Sequence, residues 1–327
     1  MTNLGEKYSL FPIQSEIGKV TYDFYQTQQK QLWSTVELKF ADDAREYQKL
    51  PRRLQQLYKE ILVFFSPGDG LICENVARFI RDAKDFEHSS FFIIQQYIEV
   101  VHAESYGLAI TSVLNDDKQI KDVISEVESC DAVKAKAKFL KKYIECDLSL
   151  PLRYLAAACT EGIFFVTLFA LVFYFRDRNL MPTFVFLNEQ VSKDETLHKD
   201  YYCKMVSMIG LTEDETKIAY DIVDEALNVE LEHLKYLLRD PIDDVETDRL
   251  TGVDYESIAS YSRGLANDVL TRSGLSTRYE AGAPPPYMKS LSLENKTNFY
   301  EGEVGNYRNG GLEGEAINLE NPEDSEF

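Results

Sequence analysis

The chain has 327 residues, 44% of them apolar, which is enough to bury the core of one large domain or two small ones. Its 35 Lys and Arg stand against 55 Asp and Glu, a formal charge of −20. Such a surface repels nucleic acid and anionic membranes, because phosphate binding needs clustered cations, so neither is expected as a partner. The opening residues MTNLGEKYSLFPIQ lack the basic start and apolar run of a signal peptide. The longest apolar stretch, Gly162 to Phe175, is 14 residues, too short to span a bilayer, and reads as a buried core helix. Five scattered cysteines (Cys73, Cys130, Cys146, Cys159, Cys203) form no CxxC pair and imply a reducing compartment.

Taken in chain order, the apolar periodicity predicts helices over roughly 15–32, 52–82, 88–114, 131–146, 152–178, 184–209, 213–239 and 255–273. Pro51 and Pro151 sit where first turns begin, Pro182 follows a stop and Gly210 precedes a new start. No strand-like alternation of useful length and no internal repeat interrupts them. The expected fold is therefore an all-α bundle of long helices occupying residues 1–281. From Gly282 the character changes: Ala283-Pro284-Pro285-Pro286 cannot continue a helix. The last 15 residues carry six acids and no base, so 282–327 read as a flexible acidic tail. Ile317, Leu319 and the terminal Phe327 are its conspicuous apolar residues.

Helical bundles that hold two metal ions draw one carboxylate from each of two helices and a Glu-x-x-His pair from each of two others. Glu99-Val-Val-His102 and Glu195-Thr-Leu-His198 fit, but so does Glu230-Leu-Glu-His233, so the motif needs its context. Glu99 and His102 lie in FFIIQQYIEVVHAESYGLAI and Glu161 in AACTEGIFFVTLFALVF, segments where an unpaired carboxylate is costly unless it meets a metal. His233, flanked by Glu232 and Lys235, reads instead as part of a surface or boundary helix, and His88 as a helix-start residue. Asp69, within Pro-Gly-Asp-Gly, could supply the fourth helix's carboxylate, although that segment on its own reads as a turn. Asp69, Glu99, Glu161 and Glu195 together place four negative charges in one core, which two divalent cations would balance. Oxygen-rich ligation with two imidazoles suits iron or manganese.

The stretches FFSPGDGLICEN, YIEVVHAESYGL, TEGIFF and LNEQVSKDETLHKD resemble, in the same order, the four ligand-bearing helices of the class I ribonucleotide reductase small subunit. The 34-residue spacing from Glu161 to Glu195, the FPIQ start and NFYEGEVGNY before the tail extend the resemblance, which is to eukaryotic and large-DNA-virus members, over nearly the whole chain. It implies a ferritin-like bundle with additional helices, working as a homodimer in the cytoplasm (the host's if the chain is viral). It implies two iron ions, with manganese possible, held by Asp69, Glu99, His102, Glu161, Glu195 and His198, with Glu161 taken as a bridging carboxylate. Tyr106, one turn beyond His102, matches the radical-bearing tyrosine, and Phe165 and Phe169 match the apolar pocket that shields it. Trp33, the only tryptophan, and Asp194 match a relay leading from His102 towards the surface, with Asp194 orienting His102. A rival reading of Ser192-Lys-Asp-Glu195 as a capping box fails if the helix starts near Thr183. Tyr307 matches the tail tyrosine that passes the radical on, and Ile317, Leu319 and Phe327 the anchors that dock on the large catalytic subunit.

Four departures stand out, the first being Pro-Gly-Asp-Gly at Asp69 where relatives commonly carry Ala-Ser-Asp-Gly. Asp69 to Glu99 spans 30 residues, one fewer than in relatives, with the missing residue placed near Arg81–Phe86. The usual acidic pattern after Trp33 is thinned in WSTVELKFADD, and the tail's upstream anchor is aliphatic where relatives often carry an aromatic. The implied activity is ribonucleoside-diphosphate reduction on the partner subunit, consistent with the lack of a Walker or GxGxxG loop here. A stand-alone ferritin-like oxidase or iron-handling protein would use the same ligands, but would have no need of Trp33, Tyr307 or the tail. A helical scaffold with coincidental carboxylates would bind no metal at all.

Overall fold

Long apolar runs punctuated by caps determine the architecture. The structure, a computed structural model, describes residue 13 and residues 15–114, 116–240 and 253–288. Among these residues there are helices and turns and no strand. The helices are α1 (Glu16–Lys30), α2 (Ala41–Tyr47), α3 (Arg52–Asp82), α4 (Phe86–Val113), α5 (Asp117–Ser129) and α6 (Asp131–Glu145). There follow α7 (Leu150–Cys159), a π-helical turn (Thr160–Phe165), α8 (Val166–Asp177), α9 (Pro182–Ile209), α10 (Glu213–Leu237) and α11 (Tyr255–Arg272). Short 3₁₀ turns occupy Thr35–Glu37 and Pro286–Met288. The tail residues Tyr307, Ile317, Leu319 and Phe327 lie outside the described residues. The described residues continue past the expected boundary at 281, with Gly282 N–H donating to Ser260 Oγ at 2.6 Å.

Local chemistry starts and stops these helices. Ser15, Asp85 and Asp254 accept from the backbone N–H groups of Gly18, His88 and Ser257 and so cap α1, α4 and α11, while Thr212 and Glu215 form a reciprocal capping box on α10. Pro151 sits in the first turn of α7, and Gly210, at φ 81°, ends α9 in a conformation few other residues tolerate. The start of α9 is fixed from a distance. Asp43 on α2 accepts from Thr183 N–H at 3.0 Å and Phe184 N–H at 2.8 Å, and Glu46 accepts from Met181 N–H at 2.9 Å. This clamp follows two positive-φ residues, Asn179 and Met181, in the turn before the helix. Because α9 begins at Pro182, Ser192–Glu195 lies in mid-helix and is not a cap.

Helix α3 packs along α4, α1 against α4, and α9 along α7. The run from Leu150 to Asp177 is the most apolar part of the chain, and 94% of its most apolar window is buried, as expected of a core helix. Two helices escape the sequence reading: α2 is too short, at seven residues, to show a period, whereas α5 carries Ile120, Val123, Ile124 and Val127 at helical spacing and is legible, though the expected helices pass over it. The Pro-Gly-Asp-Gly segment is not a turn: α3 runs through it unbroken from Arg52 to Asp82. Burial of Leu57, Ile61, Phe65, Ile72, Val76 and Phe79 along the same helix outweighs the local turn preference. Between Asp69 and Glu99 the chain leaves helix for only the three residues that join α3 to α4.

The expectation for the third Glu-x-x-His pair is overturned. Glu230 and His233 are fully buried on α10, and so is Lys136 of α6, whose Nζ lies 2.5 Å from Glu230 Oε2. Sequence reading went astray because Glu232 and Lys235 occupy the opposite, solvated face of α10 and make it look peripheral. The Lys136 ammonium also sits over the rings of Phe64 and Phe164, at 4.1 and 4.9 Å. Burial pushes the Glu230 carboxyl up to about 7 despite its partner. Glu230→Ala therefore leaves a buried ammonium unpaired, and we expect it to lower the stability of the metal-free protein by ~3–5 kcal/mol in denaturant unfolding. The double change Glu230→Leu with Lys136→Met should lie near wild type; an equally unstable double variant would rule out the ion pair as the cause.

Candidate metal centre

Four structural elements converge on one buried spot. Asp69 comes from the middle of α3, Glu99 and His102 from one face of α4, Glu161 from the π-helical turn, and Glu195 and His198 from α9. At positions i and i+3, each Glu and His of a pair shares a helix face, one turn apart. All six side chains are buried, none more than 1% exposed. The wider turn around Glu161 is built on a close approach. A Cβ on Gly162 would stand 2.7 Å from Lys199 Cδ and 2.8 Å from Cγ, so only glycine lets the Lys199 stem of α9 lie across this turn.

The ligand atoms form two overlapping groups, Asp69–Glu99–His102–Glu195 and Glu99–Glu161–Glu195–His198, each with its atoms within 4.8 Å of one another. Glu99 and Glu195 belong to both groups. Glu161 belongs to one only, so if two ions were bound, Glu99 and Glu195 would be better placed than Glu161 to be shared between them. Both oxygens of Asp69, Glu99 Oε2, Glu161 Oε2, Glu195 Oε1 and His102 Nδ1 are buried without a hydrogen-bond partner. Native cores do not leave so many polar atoms unsatisfied in one place unless something else meets them. Four carboxylates and two neutral imidazoles carry a charge of −4, which two divalent cations cancel, so the donor set fits a dimetal site.

Electrostatics without cations point the same way. Burial pushes the Asp69 and Glu161 carboxyls well above the usual range, and neighbouring carboxylates add to it. Burial likewise opposes charging the two imidazoles, but hydrogen bonds to the surrounding carboxylates prevail, raising His102 strongly and His198 to about 9. Glu99, which burial alone would raise, is brought down to about 2 by His102 and His198. In the absence of cations, protons would balance part of this charge.

Around the ligands stand the groups that orient them. His102 Nε2 donates to Asp194 Oδ2 at 3.1 Å, turning Nδ1 towards Glu99 and Glu195. The same Asp194 oxygen accepts from Trp33 Nε1 at 2.8 Å, and the Trp33 and His102 rings stack at 5.8 Å. The expected connection Trp33–Asp194–His102 is therefore made by direct contacts. For His198, Nδ1 faces Glu195 and Glu99 at 2.9 and 3.2 Å, while Nε2 meets the Gln28 side-chain amide at 2.6 Å. The Gln28 atom at that distance is Nε2; with a metal ion on Nδ1 the ring proton would sit on His198 Nε2, and the Gln28 amide would turn over to accept it through its oxygen.

Sequence reading missed several of these neighbours. Gln95 donates to Glu99 at 3.3 Å and to Glu161 at 3.4 Å, and is itself held by Tyr202, whose hydroxyl donates to Gln95 Oε1 at 2.9 Å. Tyr106 is fully buried, and its hydroxyl donates to Asn188 Oδ1 at 3.1 Å. Burial and then the nearby Asp69 carboxylate push the Tyr106 phenol well above its ordinary pKa. The ring stacked on Tyr106 is Phe65, at 4.7 Å, with Phe165 and Phe169 stacked behind Phe65 at 5.4 and 5.6 Å. Helical spacing offered one signal: Gln95 precedes Glu99 by one turn and Asn188 precedes Glu195 by two. Nothing local identified Tyr202, Gln28 or Phe65.

Comparison with known proteins agrees with this geometry. Residues 7–285 match the family model described as ribonucleotide reductase, small chain. A ribonucleoside-diphosphate reductase small chain of Arabidopsis thaliana is 31% identical over 304 residues, which cover 93% of the present sequence and 86% of the plant protein. The small chain of Variola virus is 31% identical over 307 residues, covering 94% of the present sequence and 92% of the viral one. Among solved structures, the ribonucleotide reductase Rnr4 homodimer of Saccharomyces cerevisiae superimposes with a TM-score of 0.74 at 24% identity, covering 89% of the present sequence and 90% of the yeast one. The dimanganese(II)-NrdF of Streptococcus sanguinis gives 0.73 at 19%, covering 85% and 95%; at these identities the likeness is one of fold. With a ferritin-like helical architecture, a buried dimetal ligand set and matches along most of its length, the protein belongs to the ribonucleotide reductase small-chain family.

Proposed function

We propose that this protein generates a neutral tyrosyl radical at Tyr106 and delivers it to a large catalytic subunit, which reduces ribonucleoside diphosphates. The observation that carries this reading is the fully buried Tyr106 beside two overlapping ligand groups, with a hydrogen-bonded exit through His102, Asp194 and Trp33. Two iron ions bound by Asp69, Glu99, His102, Glu161, Glu195 and His198 would react with dioxygen and supply the one-electron oxidant; manganese suits the same oxygen-rich set. The protein's own residues do the rest. Tyr106 gives up an electron and its phenolic proton, and Phe65, Phe165 and Phe169 wall its ring off from quenching. Asp194 keeps its two donors, His102 Nε2–H and Trp33 Nε1–H, on one oxygen, so an electron and a proton can move together along that line. Trp33 is 6% exposed while its neighbour Val36 is 84% exposed, which suits the place where the path leaves the bundle. Tyr307 in the tail would continue it, with Ile317, Leu319 and Phe327 as anchors on the large subunit and the tail's acids steering the approach.

A homodimer fits an exposed apolar stripe on α4, where Ile93, Tyr97, Val100 and Leu108 face outwards from the helix that carries Glu99, His102 and Tyr106. One fold neighbour is described as a homodimer. The five cysteines are all free thiols, which suits the reducing cytoplasm.

Replacing Tyr106 by Phe should preserve the fold and the metal content but abolish both the radical and reductase activity with the large subunit. Electron paramagnetic resonance decides it, and a tyrosyl signal that persists in the variant would move the radical elsewhere. Glu161→Ala removes a ligand from one group only, so metal analysis should give close to one ion per protomer with helicity retained; two ions would remove Glu161 from the site. Deleting the last twelve residues should leave cluster and radical intact yet eliminate turnover with the large subunit. A peptide of that sequence should compete with the full-length protein, and normal turnover by the truncated form would exclude docking through the tail.

A further inference from the structure

Asn188 holds the hydroxyl of Tyr106 from α9. Both residues are fully buried, and the phenolic hydrogen is donated to Asn188 Oδ1 over 3.1 Å. The orientation of that amide is not free. Asn188 Nδ2 donates to the Phe184 carbonyl at 2.8 Å, one turn back, so the oxygen is the end presented to the tyrosine. Phe184 is itself fixed, with its N–H on Asp43 at 2.8 Å and its ring edge-on to Tyr58 at 4.7 Å. A tertiary clamp on the start of α9 therefore ends, three contacts later, at the oxygen of Tyr106. Meanwhile the stacked ring of Phe65 limits how far the tyrosine ring can turn away.

We propose that Asn188 is the positioning residue that sets how strong an oxidant Tyr106 becomes, by stabilising the phenol and offering nothing to the radical. The inference rests on the reading of Tyr106 given above. One-electron oxidation breaks the O–H bond: the electron goes to the dioxygen-derived oxidant, and the proton goes to a base on the carboxylate side of the ring. It does not stay on Asn188, because a carboxamide oxygen accepts hydrogen bonds but is too weakly basic to keep a proton. After the loss, two oxygens bearing only lone pairs face each other. To donate to the radical, the amide would have to turn over and abandon the Phe184 carbonyl in a buried setting, where an orphaned acceptor is costly. The hydrogen bond thus favours the reduced tyrosine, and the radical is more strongly oxidising than one without this partner. That suits a radical made to be handed on.

The test uses the full-length protein, metal-loaded and exposed to dioxygen. Asn188→Leu keeps the bulk and removes the acceptor, leaving the phenol without its partner. The tyrosyl signal should then be quenched about tenfold more slowly by a small one-electron reductant, and its transfer to the large subunit should slow, with metal content and ring hyperfine pattern unchanged. A quenching rate equal to wild type would overturn the proposal. A second measurement needs no variant: in wild type carrying nitrogen-15 asparagine, the radical should show no coupling to an exchangeable deuteron borne on that nitrogen. Finding one would mean that the amide donates to the radical, the opposite role. If the wild-type radical survives Tyr106→Phe, the reading of Tyr106 fails and this inference with it. If it is lost there while Asn188→Leu behaves as wild type, only the inference fails.

Discussion

Four carboxylates cannot share a dry core unless positive charge stands between them. Moving even one ionised carboxylate out of water is unfavourable by several kcal/mol in real proteins, and like charges at contact distance add to it. Here Asp69, Glu99, Glu161 and Glu195 are brought together with almost no solvent exposure, and most of their free oxygens have no hydrogen donor to meet. The raised carboxyls of Asp69 and Glu161 and the raised imidazoles express the same imbalance. The apolar helices force these carboxylates together, and bound cations would relieve what the helices impose.

Rigid elements are needed to impose it. All six ligands lie on helices or on the π-helical turn and none on a loop, so each is held by packing along several turns. The π-helical turn is the exception in geometry, and its construction shows why it persists. Gly162 gives up its side chain so that Lys199, next to the ligand His198, can cross it, and Lys199 in turn is anchored at 2.6 Å on Asp268 of α11. The shape of the site is thus tied to a helix that contributes no ligand.

The aromatic residues around the cluster meet it in chemically different ways. Tyr106 stacks on Phe65, which itself stacks on Phe165 and Phe169, and its hydroxyl has Asn188 as its polar contact. Tyr202 meets Glu99 and Glu161 through Gln95, and Trp33 meets His102 through Asp194 and by stacking. A tyrosine in an apolar pocket has few routes for losing its proton or being reduced by solvent. His102, Asp194 and Trp33 form a continuous hydrogen-bonded line that starts at the cluster. The second buried polar group, Lys136 with Glu230 and His233, is separate from this cluster and cemented between α6, α10 and the ring of Phe64.

What the sequence determined by itself was the identity and order of the ligand helices. Helical spacing places Glu99 with His102, Glu195 with His198, and Tyr106 one turn onward, and burial could be read from segments apolar on nearly every side. Those are properties of consecutive residues, which is why they were legible. Tertiary structure decided everything that depends on the partner surface. It carried α3 straight through Pro-Gly-Asp-Gly, because burial along 31 residues outweighs the preference of four. It put Glu99 and Glu195 in both ligand groups and Glu161 in one, because that depends on the angles at which three helices and a π-helical turn meet. It buried Glu230 and His233 against Lys136, some ninety residues away in sequence, a pairing that no local pattern encodes. And it set Asn188 against Tyr106 across two helices, since a hydrogen bond between distant segments exists only once the bundle has closed.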